Sequence, residues 1–287
     1  MANIRLIRRR IRGVQSTAKI TRAMEMIATS KMRRAQEAGL AGRPYDQKIR
    51  QVIGDLAALP YAGDMPHPLL QSRPVKKIAI VHISPDRGLC GGLNANLNRK
   101  TGAFILGQDK PVTMVCVGRK GLDFMRRYGR QIRAEFTQLG DRPTIFDVLP
   151  IARIINDDYS NGLVDTVYMV YARFVSTMLQ TPVMEQLLPI EPAPVPKTEN
   201  IEYIYEPAPE GVLGALLPRF VEMEIYHAIL ESIASEQSAR MVAMRNATDN
   251  AKELTDHLTL MYNKARQEAI TTELLDITGA TAALQGK

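Results

Sequence analysis

Residues 230–275 read LESIASEQSARMVAMRNATDNAKELTDHLTLMYNKARQEAITTELL, and this stretch decides the fold. Counting from Leu230 in alternating steps of three and four residues reaches fourteen positions, of which ten are apolar. A repeat of 3.5 residues predicts a helix that pairs with a second helix in a left-handed coiled coil. We expect one helix over about residues 210–284, which at 1.5 Å per residue is about 110 Å long and projects as a rod.

A matching repeat at the amino terminus supplies the partner for this helix. From Ile4, apolar or small residues fall at positions 4, 7, 11, 14 and 18, again in steps of three and four. An apolar stripe continues through Ile20, Met24 and Ile27, which are displaced from that repeat. We therefore expect the buried face of the first helix to widen, or to drift around the helix, at these residues.

The extent and direction of the two helices follow from proline and from charge. Apolar residues resume at helical spacing beyond Pro44, which predicts a helix from about residue 3 to residue 59 that this proline can kink. Residues 1–50 carry 13 Lys/Arg against 3 Asp/Glu, whereas residues 209–287 carry 7 against 11, so the two ends are complementary. Because the middle of the chain separates the two helices, we expect them to run antiparallel.

The middle of the chain, residues 74–196, lies between two proline-rich linkers and predicts an α/β domain. Three runs rich in β-branched residues are typical of buried strands: Lys76–Ser84, Val112–Gly118 and Val164–Phe174. The helical stretches that alternate with them are Asn94–Leu106, Lys120–Tyr128 and Ile145–Tyr159. This alternation predicts a mostly parallel sheet with right-handed connections, and a further extended segment near Pro182–Leu188 is expected at its edge. The remaining segments are the N-terminal helix, 1–59, and the C-terminal helix, 209–287.

Composition and motifs narrow the classes of function. The 287 residues are 45% hydrophobic and 23% charged, which are ordinary globular proportions. The two cysteines form no CxxC pair and the four histidines are far apart, so neither a metal site nor a disulfide framework is indicated. Asp157 and Asp158 precede a polar turn and do not suggest a pair of catalytic carboxylates. No 18-residue apolar run and no export signal occur, so we expect neither export nor a membrane span.

The stretch SPDRGLCGG at residues 84–92 follows a predicted strand and precedes a helix, where phosphate-binding loops occur. It contains neither GxxxxGK[ST] nor GxGxxG, so its glycines are better explained by a tight turn. A helix start can lower the pKa of a thiol such as Cys90, yet no base for a nucleophilic cysteine is identifiable. His82, within a strand, is expected to be a hydrogen-bonded core residue. The sequence therefore predicts no catalytic residue and no bound nucleotide, cofactor or metal.

The basic first helix also suggests the hypothesis of nucleic-acid binding, because Lys/Arg-rich helices neutralise phosphates. Residues 1–44 contain no aromatic residue that would stack on a base, and the heptad repeat occupies one face of the helix. A solvated basic face on a coiled coil, or a face that meets acidic partner subunits, explains the charge better than nucleic acid does.

Three stretches of this sequence resemble the gamma subunits of F-type ATP synthases. They are ITRAMEMIATSKMRRAQ at Ile20–Gln36 with the RPY of Arg43–Tyr45, SPDRGLCGGLN at Ser84–Asn94, and the segment Ser235–Thr278. The resemblance covers both helices and the domain between them. It implies an α/β fold plus long coiled coil, in which the terminal helices form an antiparallel coiled coil and the central domain is Rossmann-like and binds no nucleotide.

The resemblance also implies a mechanical role with defined partners. The chain would be the non-catalytic rotor shaft that couples proton flow to ATP synthesis, with its helix tips inside a hexamer of alpha and beta subunits. Its other end would stand on the membrane c ring beside epsilon. By motif position, four residues would face the hexamer: Met24, Arg266, Gln267 and Thr271. Three would belong to the foot on the c ring: Arg43, Tyr203 and Tyr205.

For Met24, ordinary packing in the helix seam is the alternative to a coupling role. The regulatory two-cysteine insertion of the chloroplast form is absent from the central domain. The resemblance therefore implies a bacterial complex, attached peripherally to the cytoplasmic side of the cell membrane.

Overall fold

The computed structural model describes residues 4–57, 67–191 and 209–285. They form two compact units, one made of the chain up to Ile27 together with the chain from Met241 onward, and the other of Ala28–Arg240. Two long helices contribute to both units: α1, Ile4–Ala57, and α5, Pro209–Gln285. None of the helices in these described ranges is long and apolar enough to cross a membrane.

The first unit is an antiparallel pair formed by the start of α1 and the end of α5. The hydroxyl oxygens of Thr21 and Thr248 lie 2.7 Å apart, and the Arg8 guanidinium carbon lies 5.7 Å from the ring centre of Tyr262. Residue numbers therefore rise along one helix as they fall along the other, and facing pairs add up to 269 or 270. The predicted antiparallel coiled coil is confirmed.

The buried seam of α1 keeps one strict repeat throughout this unit. The positions of this repeat, Ile4, Ile7, Ile11, Val14, Ala18, Thr21 and Glu25, are all buried or half-buried. The predicted widening or drift of the buried face is wrong at Ile20 and Ile27, which are 58% and 54% exposed, whereas Met24 is half-buried beside the seam. Thr21 and Glu25 enter the seam because each has a polar partner on α5, and a hydrogen-bonded polar group can be buried at modest cost.

The seam of α5 differs from the prediction at one of its two positions per heptad. Four positions are buried or half-buried as predicted: Met244, Ala251, Leu258 and Ala265. The alternate positions are Thr248, Thr255 and Tyr262. Of the residues predicted there, Leu254 and Met261 are exposed, and Ala247 is half-buried next to Thr248. The hydroxyl of Thr248 donates to the carbonyl of Met244 and that of Thr255 to the carbonyl of Ala251, both at 2.8 Å. Because these hydroxyls are satisfied by their own helix, threonine is accepted in the seam while Leu254 stays 43% exposed.

The second unit is built on a sheet whose described strands lie in the order β3-β2-β1-β4-β5. The strands are β1 (Ile78–Ile83), β2 (Val112–Val117), β3 (Gln131–Phe136), β4 (Thr166–Phe174) and β5 (Gln180–Leu188). The first four are parallel, and β5 runs antiparallel to β4. The crossover helices are α2 (Leu93–Leu106), α3 (Arg119–Arg127) and α4 (Ile145–Ser160). The mostly parallel sheet and its extended edge segment are as predicted.

The strand β3, which forms one edge of this sheet, is not among the strands predicted from the sequence. Its side chains alternate between exposed and half-buried, with Arg133 and Glu135 on the exposed side and Ile132 and Phe136 on the other. That alternation is the signature of an edge strand, and charges on such a strand discourage pairing with other chains. The Arg133 guanidinium also binds both carboxylate oxygens of Asp158 at 3.0 Å, so that acid has a structural role.

Hydrophobic clusters fill both faces of the sheet. Alternate residues of β1, such as Ile80, pack with α2 and α3 on one face. The other face, which includes Val81, packs against α4 and against the segments of α1 and α5 that belong to this unit. Fully buried side chains such as Leu56 of α1 and Leu217 of α5 join this second cluster. The two long helices are therefore part of the core of the α/β unit.

Candidate functional site

Open parallel sheets bind ligands at the carboxyl ends of the strands where the strand order reverses, which here is the place between β1 and β4. Helix α5 covers this place. Ser238 of α5 donates to the carbonyl of Thr177 in the loop after β4, at 2.7 Å. Arg240 of α5 donates to the carbonyl of Gly88 in the loop after β1, at 3.0 Å. The chain's own helix thus occupies the crevice in which a nucleotide would lie.

The first N–H groups of α3, which could otherwise bind a phosphate, have acceptors within the chain. The carboxylate of Asp86 accepts from the backbone N–H groups of Arg119 and Gln138, each at 2.9 Å. The hydroxyl oxygen of Ser84 accepts from the N–H of Gly121 at 2.8 Å. A helix start binds anions through such N–H groups, so Asp86 and Ser84 stand where a ligand's oxygens would be. The loop 84–92 therefore has the geometry of the predicted turn.

The histidine and the cysteines of this part of the unit are buried and neutral. His82 is fully buried and hydrogen-bonds Asn98 at 3.1 Å and Thr101 at 3.0 Å, which confirms its prediction as a core residue. Burial lowers the pKa of His82 to about 4. Burial raises the pKa of the Cys90 thiol, opposite to the shift that a helix start alone would give, and that of Cys116 to about 12. Within the described ranges, no three His, Cys, Asp or Glu residues are grouped to hold a metal ion.

Acid should destabilise the chain through His82. Because the folded-state pKa is about 4 and the ordinary value is 6.5, the unfolded chain binds the extra proton between these limits. Stability is therefore fully present above about pH 6.5 and falls by about 3 kcal/mol as the pH drops to 4. Urea unfolding of wild type and His82→Gln across this range measures the effect. If the free energy of unfolding fell equally steeply with decreasing pH in the two proteins, this prediction would be contradicted.

The two flanks of the helix pair differ in chemistry. One, the cationic flank, carries exposed Arg8, Arg22, Arg245, Lys252 and Arg266, each four residues after a seam position. The other, the apolar flank, carries Ile20, Met24, Leu254 and Met261, each one residue before a seam position, and has cations at such positions only toward one end of the pair, at Arg10 and Lys264. In an antiparallel pair, like heptad positions flanking the seam lie on the same side, so each set forms one row. The pair therefore offers two distinct contact surfaces.

The residues predicted to face partner subunits occupy two separate places. Arg266, Gln267 and Thr271 are all exposed and lie within six residues of α5. Met24 is half-buried on the apolar flank. The register places Arg266 level with the start of α1, so Met24 is about 20 residues, or roughly 30 Å, farther along the pair. The structure does not bring these residues together.

The three residues predicted for the foot cannot be placed as side chains. Arg43 lies within α1, but its side chain is outside the described part of the structure. Tyr203 and Tyr205 fall in residues 192–208, which are also outside the described residues.

Sequence reasoning missed the polar residues in the seam of the helix pair. Glu25 is 6% exposed and accepts from Arg245 and Arg22, next to the contact between Thr21 and Thr248. Continuing the repeat from Ile4 without regard to polarity reaches positions 21 and 25, so the signal is present in the sequence. The apolar residues one position earlier drew the predicted seam away from them.

The fold defines a class of protein in which a long antiparallel helix pair is joined to a Rossmann-like unit whose crevice is covered by its own helix. Residues 3–284 match the family described as ATP synthase, and the chain belongs to that family. An ATP synthase gamma chain of Dehalococcoides mccartyi (strain CBDB1) is 67% identical over 284 residues, covering 99% of this chain and 100% of the relative. That of Roseiflexus castenholzii is 50% identical over 288 residues, covering 99% of each.

Solved structures share the fold at low identity. A chain of the Euglena gracilis mitochondrial ATP synthase, in a structure described as OSCP/F1/c-ring, matches with a TM-score of 0.69 at 21% identity. The match covers 98% of this chain and 94% of that chain. A chain from the central stalk and c ring of the Tetrahymena thermophila enzyme matches with a TM-score of 0.61 at 24% identity, covering 79% of this chain and 99% of that chain.

Proposed function

We propose that this chain is the rotor shaft of the F1 sector of an ATP synthase and couples ion flow through a membrane c ring to ATP synthesis or hydrolysis at the beta subunits. The observation that carries this proposal is the full-length identity of 67% to an ATP synthase gamma chain. Its partners would be a hexamer of three alpha and three beta subunits, an epsilon subunit and the c ring. The complex would sit peripherally on the cytoplasmic side of a bacterial cell membrane.

The exposure of the end of α5 supports the proposal that a partner encloses it. The register places Ile4, the first described residue of α1, opposite Ala265, whereas α5 continues to Gln285. Residues 270–281 are all exposed, and they include four large apolar side chains that are 45% to 65% exposed: Ile270, Leu274, Leu275 and Ile277. Exposed apolar rows of this kind are usually covered by a partner. A close-fitting sleeve around the tip of α5 would cover them.

A non-catalytic role is supported by the covered crevice. Ser238 and Arg240 of α5 fill the strand-end position, and Asp86 satisfies the start of α3. A shaft needs no chemistry of its own. If it contacts three beta subunits differently at each angle, it biases the conformational equilibrium of each.

The proposal assigns each part of the chain a location in the complex. The N-terminal helix (1–59) and C-terminal helix (209–287) would form the shaft, and the central domain (74–196) would stand outside the hexamer. Arg266, Gln267 and Thr271 would meet the beta subunits near the tip, and Met24 lower down. Arg43, Tyr203 and Tyr205 would lie in the foot on the c ring.

Gentle purification of a tagged chain from its own membranes tests this function. We expect one copy to be recovered with three alpha and three beta subunits, in a complex that hydrolyses ATP and pumps ions. Calorimetry of the isolated chain should detect no saturable ATP binding. Recovery of the chain without alpha and beta subunits, or ATP binding by the isolated chain, would contradict the proposal.

Met24→Lys should uncouple the assembled complex without preventing ATP hydrolysis. Met24 is half-buried on the apolar flank, so the substitution places a long cation on a surface that has none of its own at that level. New contacts with acidic residues of a beta subunit would favour some rotary angles over others. We expect ion pumping to fall more than ATP hydrolysis, measured together in membrane vesicles. Met26→Lys is the matched control, because Met26 is 59% exposed and does not lie on the apolar flank.

A further inference from the structure

The seam of the helix pair contains a buried carboxylate where an apolar side chain would normally lie. Glu25 accepts from Arg245 Nε through one oxygen and from Arg22 Nη1 through the other, both at 3.0 Å. Replacing buried ion pairs by apolar residues of similar size is often neutral or stabilising. Stability of the pair therefore gives no reason for a glutamate at this position.

The two arginines remain at the surface while the glutamate is buried. The side chains of Arg22 and Arg245 are 60% and 55% exposed, against 7% for Glu25. Each guanidinium has five N–H donors, and the bonds to Glu25 use one nitrogen of each. Among the described residues, Glu25 is the carboxylate that either arginine pairs with. Both arginines therefore keep donors for a second acceptor.

The surroundings of these arginines favour an acidic ligand. Within the paired part of the two helices, the equivalent flanking positions along this side are Arg8 and Gln15 on α1, and Lys252, Thr259 and Arg266 on α5, all exposed and none of them acidic. Asp249, one turn after Arg245, is the nearby acid, and Lys252 pairs with it at 3.3 Å. A carboxylate that approaches here meets cations and neutral groups only at those positions. Because Glu25 already holds both guanidinium groups, less side-chain entropy is lost when they bind.

We propose that Glu25 is a positioning residue that holds Arg22 and Arg245 as a two-arginine clamp, and that this clamp binds a carboxylate side chain of a surrounding subunit. The inference rests on the proposed function, because it needs a subunit around the helix pair. Two guanidinium groups oriented by one buried acid suit a carboxylate, whose two oxygens accept charge-assisted hydrogen bonds from both. Glu25 would act on the partner only through the arginines.

Glu25→Met in the full chain tests the inference, because methionine fills the seam without holding the arginines. We expect the melting temperature of the isolated chain to be unchanged or raised. In the assembled complex, affinity for the alpha and beta hexamer should fall about tenfold, the value of one charge-assisted hydrogen bond. Its dependence on salt should weaken, and the ratio of ion pumping to ATP hydrolysis should drop. Glu253→Met, at an exposed carboxylate of the same unit, is the control and should change none of these.

A second variant keeps the inference testable if Glu25→Met fails to fold. Arg22→Gln combined with Arg245→Gln removes the clamp from the surface and should reproduce the loss of affinity and coupling. Wild-type affinity and coupling in either variant would overturn the inference. Failure of the wild-type chain to assemble with alpha and beta subunits would instead overturn the proposed function, so the two failures are distinct.

Discussion

Gly118→Ala is expected to prevent stable folding of the α/β unit. Gly118 links β2 to α3 with φ = +92°, and a Cβ atom there would lie 1.8 Å from the carbonyl oxygen of Ser84. That oxygen belongs to the backbone and cannot move without breaking the end of β1. Backbone strain and steric overlap together should lower the free energy of unfolding by about 4 kcal/mol or more, an exceptional value for one methyl group. Chemical denaturation of the isolated chain measures it.

Gly129→Ala is the matched control for this prediction. Gly129 also has a positive φ, +63°, but nothing lies within 4 Å of the position a Cβ would take. The expected cost is therefore that of backbone strain alone, about 1 kcal/mol. A Gly118 variant as stable as the Gly129 variant would show that the close approach of β1 and α3 does not determine the stability of this unit.

Leu258→Ala should destabilise the helix pair by about 2 to 5 kcal/mol, because a buried leucine leaves a cavity when it is truncated. Leu258 is 5% exposed in the seam of α5. Leu254→Ala removes the same atoms from the apolar flank, where the side chain is 43% exposed, and should cost far less. Loss of helicity and the melting temperature of the isolated chain measure both.

The double variant Arg266→Ala and Gln267→Ala should give the opposite pattern. Both side chains are exposed, so the isolated chain should melt like wild type. In the assembled complex, their loss should remove interfacial hydrogen bonds worth about 1.5 to 3 kcal/mol each when a charged group takes part, with weaker assembly or coupling. If this variant melts like Leu258→Ala while the complex keeps full coupled activity, the assignment of these residues is wrong.

Because the seam contains polar residues, a variant that weakens assembly can do so either by losing a contact with a partner or by destabilising the helix pair itself. Substituting Thr21 or Thr248 alters the packing of the pair itself, because their hydroxyl oxygens lie 2.7 Å apart in the buried seam. Substituting an exposed flank residue that makes no contact with the seam, such as Arg266, leaves this seam intact. Separating the melting of the isolated chain from the activity of the complex is therefore the control that each site assignment needs.

The sequence was sufficient to predict the architecture, because architecture depends on periodicity. The 3.5-residue repeats predict two helices that pair, and the β-branched runs predict β1, β2 and β4. Prolines at residues 60–74 and 189–196 predict linkers on either side of the central domain. The strand β3 was missed because its six residues, QIRAEF, are half charged or polar and lack the apolar run of a buried strand.

Only the tertiary structure decided which side chains lie inside the helix pair. Periodicity shows that each heptad has two seam positions. When two adjacent residues could both occupy a seam position and the outer one is apolar, periodicity does not show which of them is buried. Leu254 and Met261 fit the apolar pattern better than Thr255 and Tyr262, yet they are exposed. The buried residues follow the register of the pair, in which residues more than 200 positions apart meet, such as Arg245 with Glu25 and Thr248 with Thr21. A polar group becomes acceptable in a core once its partner is in place, and the chain brings that partner close only by folding.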